Sequence, residues 1–282
     1  MQVQWYPGHM TKARRMMQED IKLIDIVIEV IDARLPLSSR NPDIDELGKN
    51  KSRLILMNKA DMADEKLNLE WMEFFKKKGF YVIKINSRNG EGIKFINGVI
   101  AEACKEKIER DRRRGILNRP VRAMVVGIPN VGKSTFINSY AGKGCTKTGN
   151  KPGVTKGKQW IKLNKNLELL DTPGILWPKF EDQEIGIKLA LSGSVNDDIL
   201  NITELALEFI KLLKKLGKEN VLTERYKIEI SDNNIAILEE IARVRACKLK
   251  GDVLDIDKAA NILIDDFRSL KLGRLTLETP NV

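Results

Sequence analysis

The sequence predicts an α/β fold with a mostly parallel sheet, followed by an all-helical domain. Short β-branched runs alternate with longer stretches of helical periodicity, which is typical of a parallel sheet with helices on both faces. Most of the short runs are apolar throughout, as strands buried on both faces are. After Pro178 the alternation stops, and only amphipathic stretches of helical length follow.

Each predicted element rests on such a run or on helical spacing of apolar residues. The predicted strands are Ile24–Ile31, Arg53–Met57, Phe80–Ile85, Ala123–Val126, Gln159–Leu163 and Leu167–Leu170. The predicted helices are Leu69–Lys78, Ile93–Arg113, Ser134–Tyr140, Thr203–Leu216, Ile235–Leu249 and Asp257–Leu270. In the last part, Asp257 is a predicted N-cap, and Gly251 and Gly273 are predicted helix ends. We therefore predict two domains, residues 1–178 and residues 179–282.

Composition excludes several classes of protein. With 282 residues, of which 42% are apolar and 31% charged, the chain can bury a sizeable core. Three widely spaced cysteines without a CxxC motif, and a single histidine, support neither a disulfide framework nor a zinc module. The apolar runs fall far short of the ~20 residues that span a bilayer, and the opening residues lack a signal or transit pattern. We expect a cytoplasmic monomer that has no membrane association.

The clearest motif is Gly127–Ser134, whose sequence GIPNVGKS fits the phosphate loop GxxxxGK[ST]. It lies between a predicted strand and a predicted helix, as the motif requires. Its glycines let backbone amides wrap phosphates, Lys133 is expected to reach the β- and γ-phosphates, and the Ser134 hydroxyl is expected to hold Mg²⁺. The predicted nucleotide contacts in this region are Asn130, Val131, Gly132, Lys133, Ser134 and Thr135.

Two further loops are predicted to contact a guanine base. The sequence NKAD at 58–61 fits NKxD and ends a predicted buried strand. An Asp carboxylate there accepts from guanine N1–H and the exocyclic amino group, which adenine does not offer, while the Lys stem can lie over the ring and the Asn can tie the loop to the phosphate loop. In GTPases, a loop after the next strand brings a backbone amide to guanine O6. The predicted base contacts are Asn58, Lys59, Ala60, Asp61, Asn86 and Ser87.

Two segments after the phosphate loop are expected to sense the γ-phosphate. The sequence DTPG at 171–174 fits DxxG, in which Asp171 reaches Mg²⁺ through water and the Gly174 amide contacts the γ-phosphate. Between the two motifs lies PGVT at 152–155, where Thr155 could supply the second Mg²⁺ ligand. Either segment alone is compatible with a plain turn, since Pro-Gly is common turn chemistry. Their order and spacing favour nucleotide binding.

The order of the motifs differs from that of an ordinary small GTPase. There the phosphate loop and DxxG precede NKxD, whereas here NKxD and Asn86-Ser87 come first. All these loops are expected at the carboxyl edge of one parallel sheet. The chain termini can be moved to an exposed connection of such a sheet without moving its strands. The fold class predicted is a circularly permuted P-loop GTPase domain plus a C-terminal all-helical domain.

This order, the opening WYPGHM, the sequence DARLP at 32–36, the PNVGKS loop and the helical tail together resemble the ribosome biogenesis GTPase A (RbgA/YlqF) family over essentially the whole chain. The resemblance implies a potassium-stimulated GTPase that binds the large ribosomal subunit late in assembly and leaves after hydrolysis. It matches Asn130 to a residue that helps hold K⁺. Ras-like proteins carry a water-orienting Gln after DxxG, but this chain has Ile175 there. The resemblance assigns water orientation to His9, with a partner contact or helix cap as the alternative.

The distribution of charge indicates where RNA is expected to bind. The net charge is +10 overall. Residues 181–282 carry 15 basic and 19 acidic residues, so the positive excess belongs to the first 180 residues. Residues 122–167 contain eight lysines and no acidic residue, which favours RNA contact over a merely solvated face. The candidate basic face of the acidic tail consists of Arg243, Arg245, Lys248 and Lys250.

Two alternative functions remain open at this point. One is an RNA-binding scaffold that uses GTP only as a structural ligand, and Ile175 motivates it. The other is a signalling or RNA-modifying GTPase. Against the latter stands the lack of a further catalytic domain, a Cys/His cluster or a lipidation signal in the sequence.

Overall fold

A computed structural model describes residues 9–117, 119–142, 144, 159–172 and 182–280, without the side chains of residues 9–14, 159 and 164. The strands in these ranges are β1 (Ile26–Asp32), β2 (Ser52–Asn58), β3 (Tyr81–Lys84), β4 (Val121–Val126), β5 (Gln159–Asn164) and β6 (Leu167–Asp171). They form one sheet in the order β3-β2-β1-β4-β6-β5. All neighbours are parallel except β5, which runs antiparallel to β6. The predicted mostly parallel sheet is confirmed.

The helices that accompany the sheet differ in detail from the prediction. They are α1 (His9–Asp20), α2 (Asp43–Leu47), α3 (Glu65–Lys77), α4 (Ile96–Ala103), α5 (Lys105–Arg113) and α6 (Lys133–Ala141). The prediction of one continuous helix over Ile93–Arg113 is wrong, because the backbone leaves helical geometry at Cys104, with φ −103° and ψ 9°. No glycine or proline marks this position, so apolar spacing could not reveal the break.

The centre of the sheet explains why its strands are so apolar. Every residue of β1 is buried, including the charged Glu29. Glu29 is paired with Arg40 at 2.9 Å and with Arg53 at 3.1 Å, so the buried carboxylate is compensated by two guanidinium groups. On one face, Trp71 and Phe75 of α3 belong to the core cluster that covers β1 and β2.

The chain forms two compact units. Among the described residues, 9–172 and 278–280 make up the first unit, and 182–277 make up the second. Residues 278–280 thus belong with the sheet. The Glu278 carboxylate accepts from the backbone N–H of Leu37 at 2.7 Å and of Ser38 at 3.2 Å and from the Ser38 hydroxyl, and the Glu278 carbonyl accepts from Trp71 Nε1 at 3.3 Å.

The second unit is helical in the part that the structure describes. Its helices are α7 (Gln183–Leu191), α8 (Ile202–Lys215), α9 (Asn220–Tyr226), α10 (Asn234–Val244) and α11 (Ile256–Arg268). Phe209 of α8 and Phe267 of α11 pack with ring centroids 5.0 Å apart. None of the helices among the described residues has the length and apolar character needed to cross a membrane.

Three predictions about helix ends in the second unit are wrong. The N-cap of α11 is Asp255, whose carboxylate accepts from the Lys258 N–H at 2.9 Å, and not Asp257. Gly251 and Gly273 do not end α10 and α11, which stop well before them. Gly251, with φ 83°, instead lies in the turn between the paired residues Lys248 and Leu254.

The predicted basic helical face is wrong as well. Helix α10 ends at Val244, so Arg245, Lys248 and Lys250 are not on it. Arg243 pairs with glutamates one turn back, Arg245 with Asp266, and Lys248 with Asp252. Intramolecular partners therefore already compensate most of this charge.

Candidate nucleotide-binding site

Three of the predicted nucleotide-contacting loops and the first two residues of a fourth lie within the described residues, each at the carboxyl end of a parallel strand. Because the carboxyl ends of parallel strands meet at one edge of the sheet, these loops come together there, at the usual ligand-binding edge of α/β sheets. Each loop and its strand are as follows: Gly127–Ser134 follows β4, residues 58–61 follow β2, residues 86–87 follow β3, and residues 171–172 follow β6.

The phosphate loop depends on backbone shapes that side chains would obstruct. A Cβ on Gly127 would lie 2.6 Å from the Val30 carbonyl oxygen, so the loop can start close to β1 only with glycine. Asn130 and Gly132 both have positive φ, at 62° and 92°, and helix α6 begins immediately afterwards at Lys133. Such a turn directs backbone N–H groups and the positive end of the helix dipole towards one point, which makes an anion site.

Asn58 ties three loops together. Its Nδ2 donates to the Val131 carbonyl at 2.7 Å, and its Oδ1 accepts from the Ser87 N–H at 3.0 Å and the Ser87 hydroxyl at 2.8 Å. The expected tie between the NKxD loop and the phosphate loop is therefore present, and it extends to the Ser87 loop. A Cβ on Gly132 would lie only 2.4 Å from Asn58 Nδ2, so this contact also requires glycine.

Lys59 forms a second bridge between the same loops. Its backbone is left-handed, with φ 59°, and its Nζ donates to the Asn130 carbonyl at 2.8 Å and to Asp32 Oδ2 at 2.8 Å. Burial lowers the pKa of Lys59, and the ion pair with Asp32 opposes that effect. The ammonium group is thus held in place by both an anion and a carbonyl.

The side chain of Asp61 is available to bind a nucleobase. It lies in the 3₁₀ turn Ala60–Met62, is half-buried, and makes no side-chain hydrogen bond to another described residue. The Ala60 N–H donates to the Ile85 carbonyl at 3.2 Å, which fixes the turn against the strand end of β3. Next to it, Asn86 caps its own loop by accepting from the Arg88 N–H at 2.9 Å.

Lys133 and Asp171 form a buried ion pair in the middle of the site. Lys133 Nζ donates to Asp171 Oδ1, and both side chains are almost fully buried. Burial lowers the pKa of Lys133. The second carboxylate oxygen, Asp171 Oδ2, is buried and has no hydrogen-bond partner among the described residues. A buried, unpartnered carboxylate oxygen beside the phosphate loop is suited to a Mg²⁺-bound water.

Other predicted site residues can be placed only in part. Ser134 and Thr135 lie in the first turn of α6, directly after Lys133. The side chain of His9, which begins α1, lies outside the described residues, as do Thr155 and Gly174.

The prediction missed one site residue. Asp32, the last residue of β1, reaches Lys59, although the sequence analysis gave it no role beyond family resemblance. The available signal was its position: an acidic residue at the carboxyl end of a buried strand lies at the same edge as the motif loops.

A sheet with these loops at one edge, in an order that starts with NKxD and continues to the phosphate loop and DxxG, defines a circularly permuted P-loop GTPase. Residues 122–240 match the family described as "50S ribosome-binding GTPase". The chain is 49% identical to ribosome biogenesis GTPase A of Bacillus cereus over 99% of this chain and 95% of that protein. It is 35% identical to ribosome biogenesis GTPase A of Thermotoga maritima over 98% of this chain and 94% of that protein.

Solved structures agree with these relatives. The crystal structure of GNP-bound YlqF from T. maritima matches with a TM-score of 0.66 and 31% identity, covering 96% of this chain and 99% of that one. The GDP-bound structure of the T. maritima protein matches with a TM-score of 0.68 and 30% identity, covering 95% and 100%. The chain belongs to the ribosome biogenesis GTPase A family, and it is accordingly a GTPase of ribosome assembly.

Proposed function

We propose that this GTPase binds the large ribosomal subunit in the cytoplasm, promotes its late assembly and uses hydrolysis of GTP to GDP and phosphate as the signal for its release. The observation that carries the proposal is the Asn58 tie, because one side chain couples the guanine loops to the phosphate loop. Binding of the base and binding of the phosphates thus depend on each other. The family description supports the large subunit as the partner, and the names of the relatives support a role in ribosome assembly.

In this proposal the base is read by Asp61. Its carboxylate has no other hydrogen-bond partner among the described residues and is free to accept from guanine N1–H and N2–H₂. The stem of Lys59 lies over the ring, and the Asn86-Ser87 loop provides the backbone amide for O6. Adenine offers no matching donors to Asp61, so selectivity for guanine follows from the chemistry of one carboxylate.

The site residues fit a magnesium ion. Ser134, Thr155 and, through water, Asp171 supply hard oxygen donors, and the unpartnered Asp171 Oδ2 is an observed acceptor for such a water. When bound, the ion would neutralise charge on the β- and γ-phosphates. Lys133 would contact the same phosphates. A K⁺ ion at Asn130 would add positive charge near them, and the family resemblance supports that site.

Hydrolysis requires a group that orients water, and Ile175 does not provide one. We assign this role to His9, which the family signature supports. An imidazole titrates near neutral pH and can accept a proton from water. The γ-phosphate contact is assigned to Gly174.

The RNA contact of the first unit is proposed for the end of α5. There the exposed arginines form no ion pair with any described residue, whereas Arg119 is paired with Asp25 at 3.6 Å and Arg122 with Glu168 at 3.3 Å. Unpaired guanidinium groups are the ones that can neutralise RNA phosphates without breaking an internal ion pair. The arginines in question are Arg110, Arg112, Arg113 and Arg114.

The deciding experiment measures GTP hydrolysis and subunit binding by the protein alone, with immature large subunits and with mature ones, in K⁺ and in Na⁺ buffer. We expect the subunits to raise kcat in K⁺, and GDP to weaken the association. A scaffold that uses GTP structurally would bind the subunits without any rise in single-turnover hydrolysis. A signalling or RNA-modifying GTPase would show no preference for immature subunits over mature ones. Either result would contradict the proposal.

A further inference from the structure

The loop that begins at the end of β1 is buried although it carries charged side chains. It carries the sequence DARLP at 32–36. Asp32 is 1% exposed and Arg34 is 2% exposed. The Arg34 guanidinium binds both oxygens of the Asp32 carboxylate, with Nε donating to Oδ1 at 3.0 Å and Nη2 donating to Oδ2 at 2.7 Å. The backbone N–H of Arg34 donates a third hydrogen bond to Oδ1 at 3.0 Å. The carboxylate therefore has a fixed orientation.

The rest of the loop is anchored independently of the nucleotide. The Asp32 N–H donates to the Ser39 hydroxyl at 3.0 Å, and that hydroxyl donates to the Leu35 carbonyl at 2.6 Å. The Glu278 carboxylate binds the N–H groups of Leu37 and Ser38. These hydrogen bonds hold the backbone around Asp32 in one conformation. A carboxylate held in this way can fix the position of a flexible lysine side chain.

The fixed carboxylate holds Lys59. Asp32 Oδ2 accepts from Lys59 Nζ at 2.8 Å, and the same Nζ donates to the Asn130 carbonyl at 2.8 Å. Burial of Lys59 disfavours its charged form, and Asp32 opposes this effect. Burial would also raise the pKa of Asp32, but Arg34 and Lys59 outweigh it and keep that pKa well below its usual range. The Asp32 carboxylate is therefore ionised at neutral pH, and it lies between the Arg34 guanidinium and Lys59 Nζ.

We propose that Asp32 is a positioning residue for nucleotide binding: held by Arg34, it fixes the Lys59 side chain over the guanine site and against the phosphate loop. The inference rests on the proposed guanine-binding role of Lys59. Asp32 itself touches no nucleotide in this proposal. Its effect is to remove the conformational freedom that Lys59 would otherwise lose on binding.

Positioning and simple electrostatics predict opposite signs for the loss of Asp32. A carboxylate near an anion site repels phosphates, so removal of its charge alone would tighten binding of GDP and GTP. Loss of positioning weakens both, because Lys59 then has to be ordered by the nucleotide. The sign of the change in affinity therefore separates the two explanations.

The test is titration calorimetry with GDP on Asp32→Asn in the full-length protein. We expect the dissociation constant to rise about tenfold, the factor that corresponds to 1.4 kcal/mol. The KM for GTP should rise with it while kcat at saturating GTP is unchanged, because the interaction is the same in ground and transition states. The matched control is Glu29→Gln, which neutralises an equally buried carboxylate of the same strand, paired with arginines but not with Lys59.

A double-mutant cycle with Lys59→Met makes the test specific. Asp32→Asn should have no further effect on GDP affinity once Lys59 is replaced. Additive effects, tighter binding, or a loss no larger than that of Glu29→Gln would overturn the inference. If Lys59→Met weakens GDP binding and Asp32→Asn does not, the inference fails and the guanine-binding role of Lys59 stands. If Lys59→Met itself has no effect, both fail.

Folding of the variant is controlled separately. If Asp32→Asn alone does not give a folded protein, the variant Asp32→Asn/Arg34→Gln removes both charges of the pair and leaves no uncompensated guanidinium beside Lys59. We expect its dissociation constant for GDP to rise about tenfold, as in the single variant, because Lys59 loses the same carboxylate partner in both. Normal GDP affinity in this folded double variant would overturn the inference.

Discussion

Gly132 illustrates how a single atom position can decide whether the site forms. Both Gly132 and Gly142 have positive φ, at 92° and 66°. A Cβ on Gly132 would lie 2.4 Å from Asn58 Nδ2, whereas a Cβ on Gly142 would meet nothing within 4 Å. The two positions therefore share the backbone cost of a side chain but differ in its steric consequence.

We predict that Gly132→Ala abolishes nucleotide binding and that Gly142→Ala does not. Both variants should lose roughly 1–2 kcal/mol of stability through the backbone, because L-residues disfavour the left-handed region. Only in Gly132→Ala must Asn58 move, which breaks its bond to Val131 and releases the phosphate loop. GDP titration together with thermal unfolding checks this, and equal GDP affinities in the two variants would contradict it.

The role of His9 is tested at the same scale. His9→Ala should bind GTP normally and should lose about a hundredfold of the subunit-stimulated hydrolysis, in the range of general acid–base contributions. Gln18→Ala, an exposed residue of the same helix α1, is the matched control for disturbance of the helix. Stimulated kcat that remains at the wild-type value in His9→Ala would refute the assignment.

At the scale of a single element, helix α11 contributes a buried carboxylate that joins it to other segments of the second unit. Its buried Asp266 accepts from Arg225 Nε at 2.8 Å and from the Tyr226 hydroxyl at 3.1 Å, and lies 3.4 Å from Lys271 Nζ. Burial favours the neutral carboxyl, but the hydrogen bonds and cations outweigh it, so the pKa of Asp266 lies below its ordinary value of 3.8.

This pKa predicts how the second unit responds to acid. Because the folded pKa is lowered, Asp266 stabilises the fold above about pH 4 and loses that contribution as pH falls through the folded pKa. Asp266→Asn should therefore cost about 1–3 kcal/mol at pH 7, and less at pH 3. Urea denaturation at both values measures it. The neighbouring exposed Asp265→Asn is the control, and a penalty that does not depend on pH would rule out this explanation.

At the scale of the whole molecule, charge is divided between the two parts of the chain. The positive excess belongs to the first 180 residues. Of the eight lysines between 122 and 167, the structure describes Lys133, which is paired with Asp171, and the exposed Lys162 and Lys165. The unpaired arginines of α5 add to this exposed positive charge, which is the basis of the RNA contact proposed for the GTPase unit.

We predict that affinity for the large subunit falls steeply with salt. The variant Arg112→Gln/Arg113→Gln should make the slope of log K against log salt concentration shallower by about 0.7–0.9 for each phosphate that the variant no longer neutralises. Arg243→Gln is a suitable control, because that arginine is already paired with Glu239 and Glu240. Binding measured between about 50 and 200 mM salt resolves such slopes. An unchanged slope in the double variant would exclude α5 from the RNA interface.

The sequence by itself determined the sheet, the motif loops and their permuted order. Most of the strands are short, nearly continuous apolar runs, and each loop is a contiguous motif, so the local pattern was sufficient to predict them. Helix ends in the second unit were harder to predict from the sequence. Asp255 and Asp257 can both act as N-caps, and only packing selects between them.

Only the tertiary structure decided the contacts that cross the chain. Asp32 and Lys59 are 27 residues apart, Asn58 and Val131 are 73 apart, and Leu37 and Glu278 are 241 apart. No local pattern predicts such pairs, because each depends on which strands are neighbours in the sheet and on which polar groups burial leaves in need of a partner. The sequence thus determines what the site is made of, and the fold determines which side chains hold it in shape.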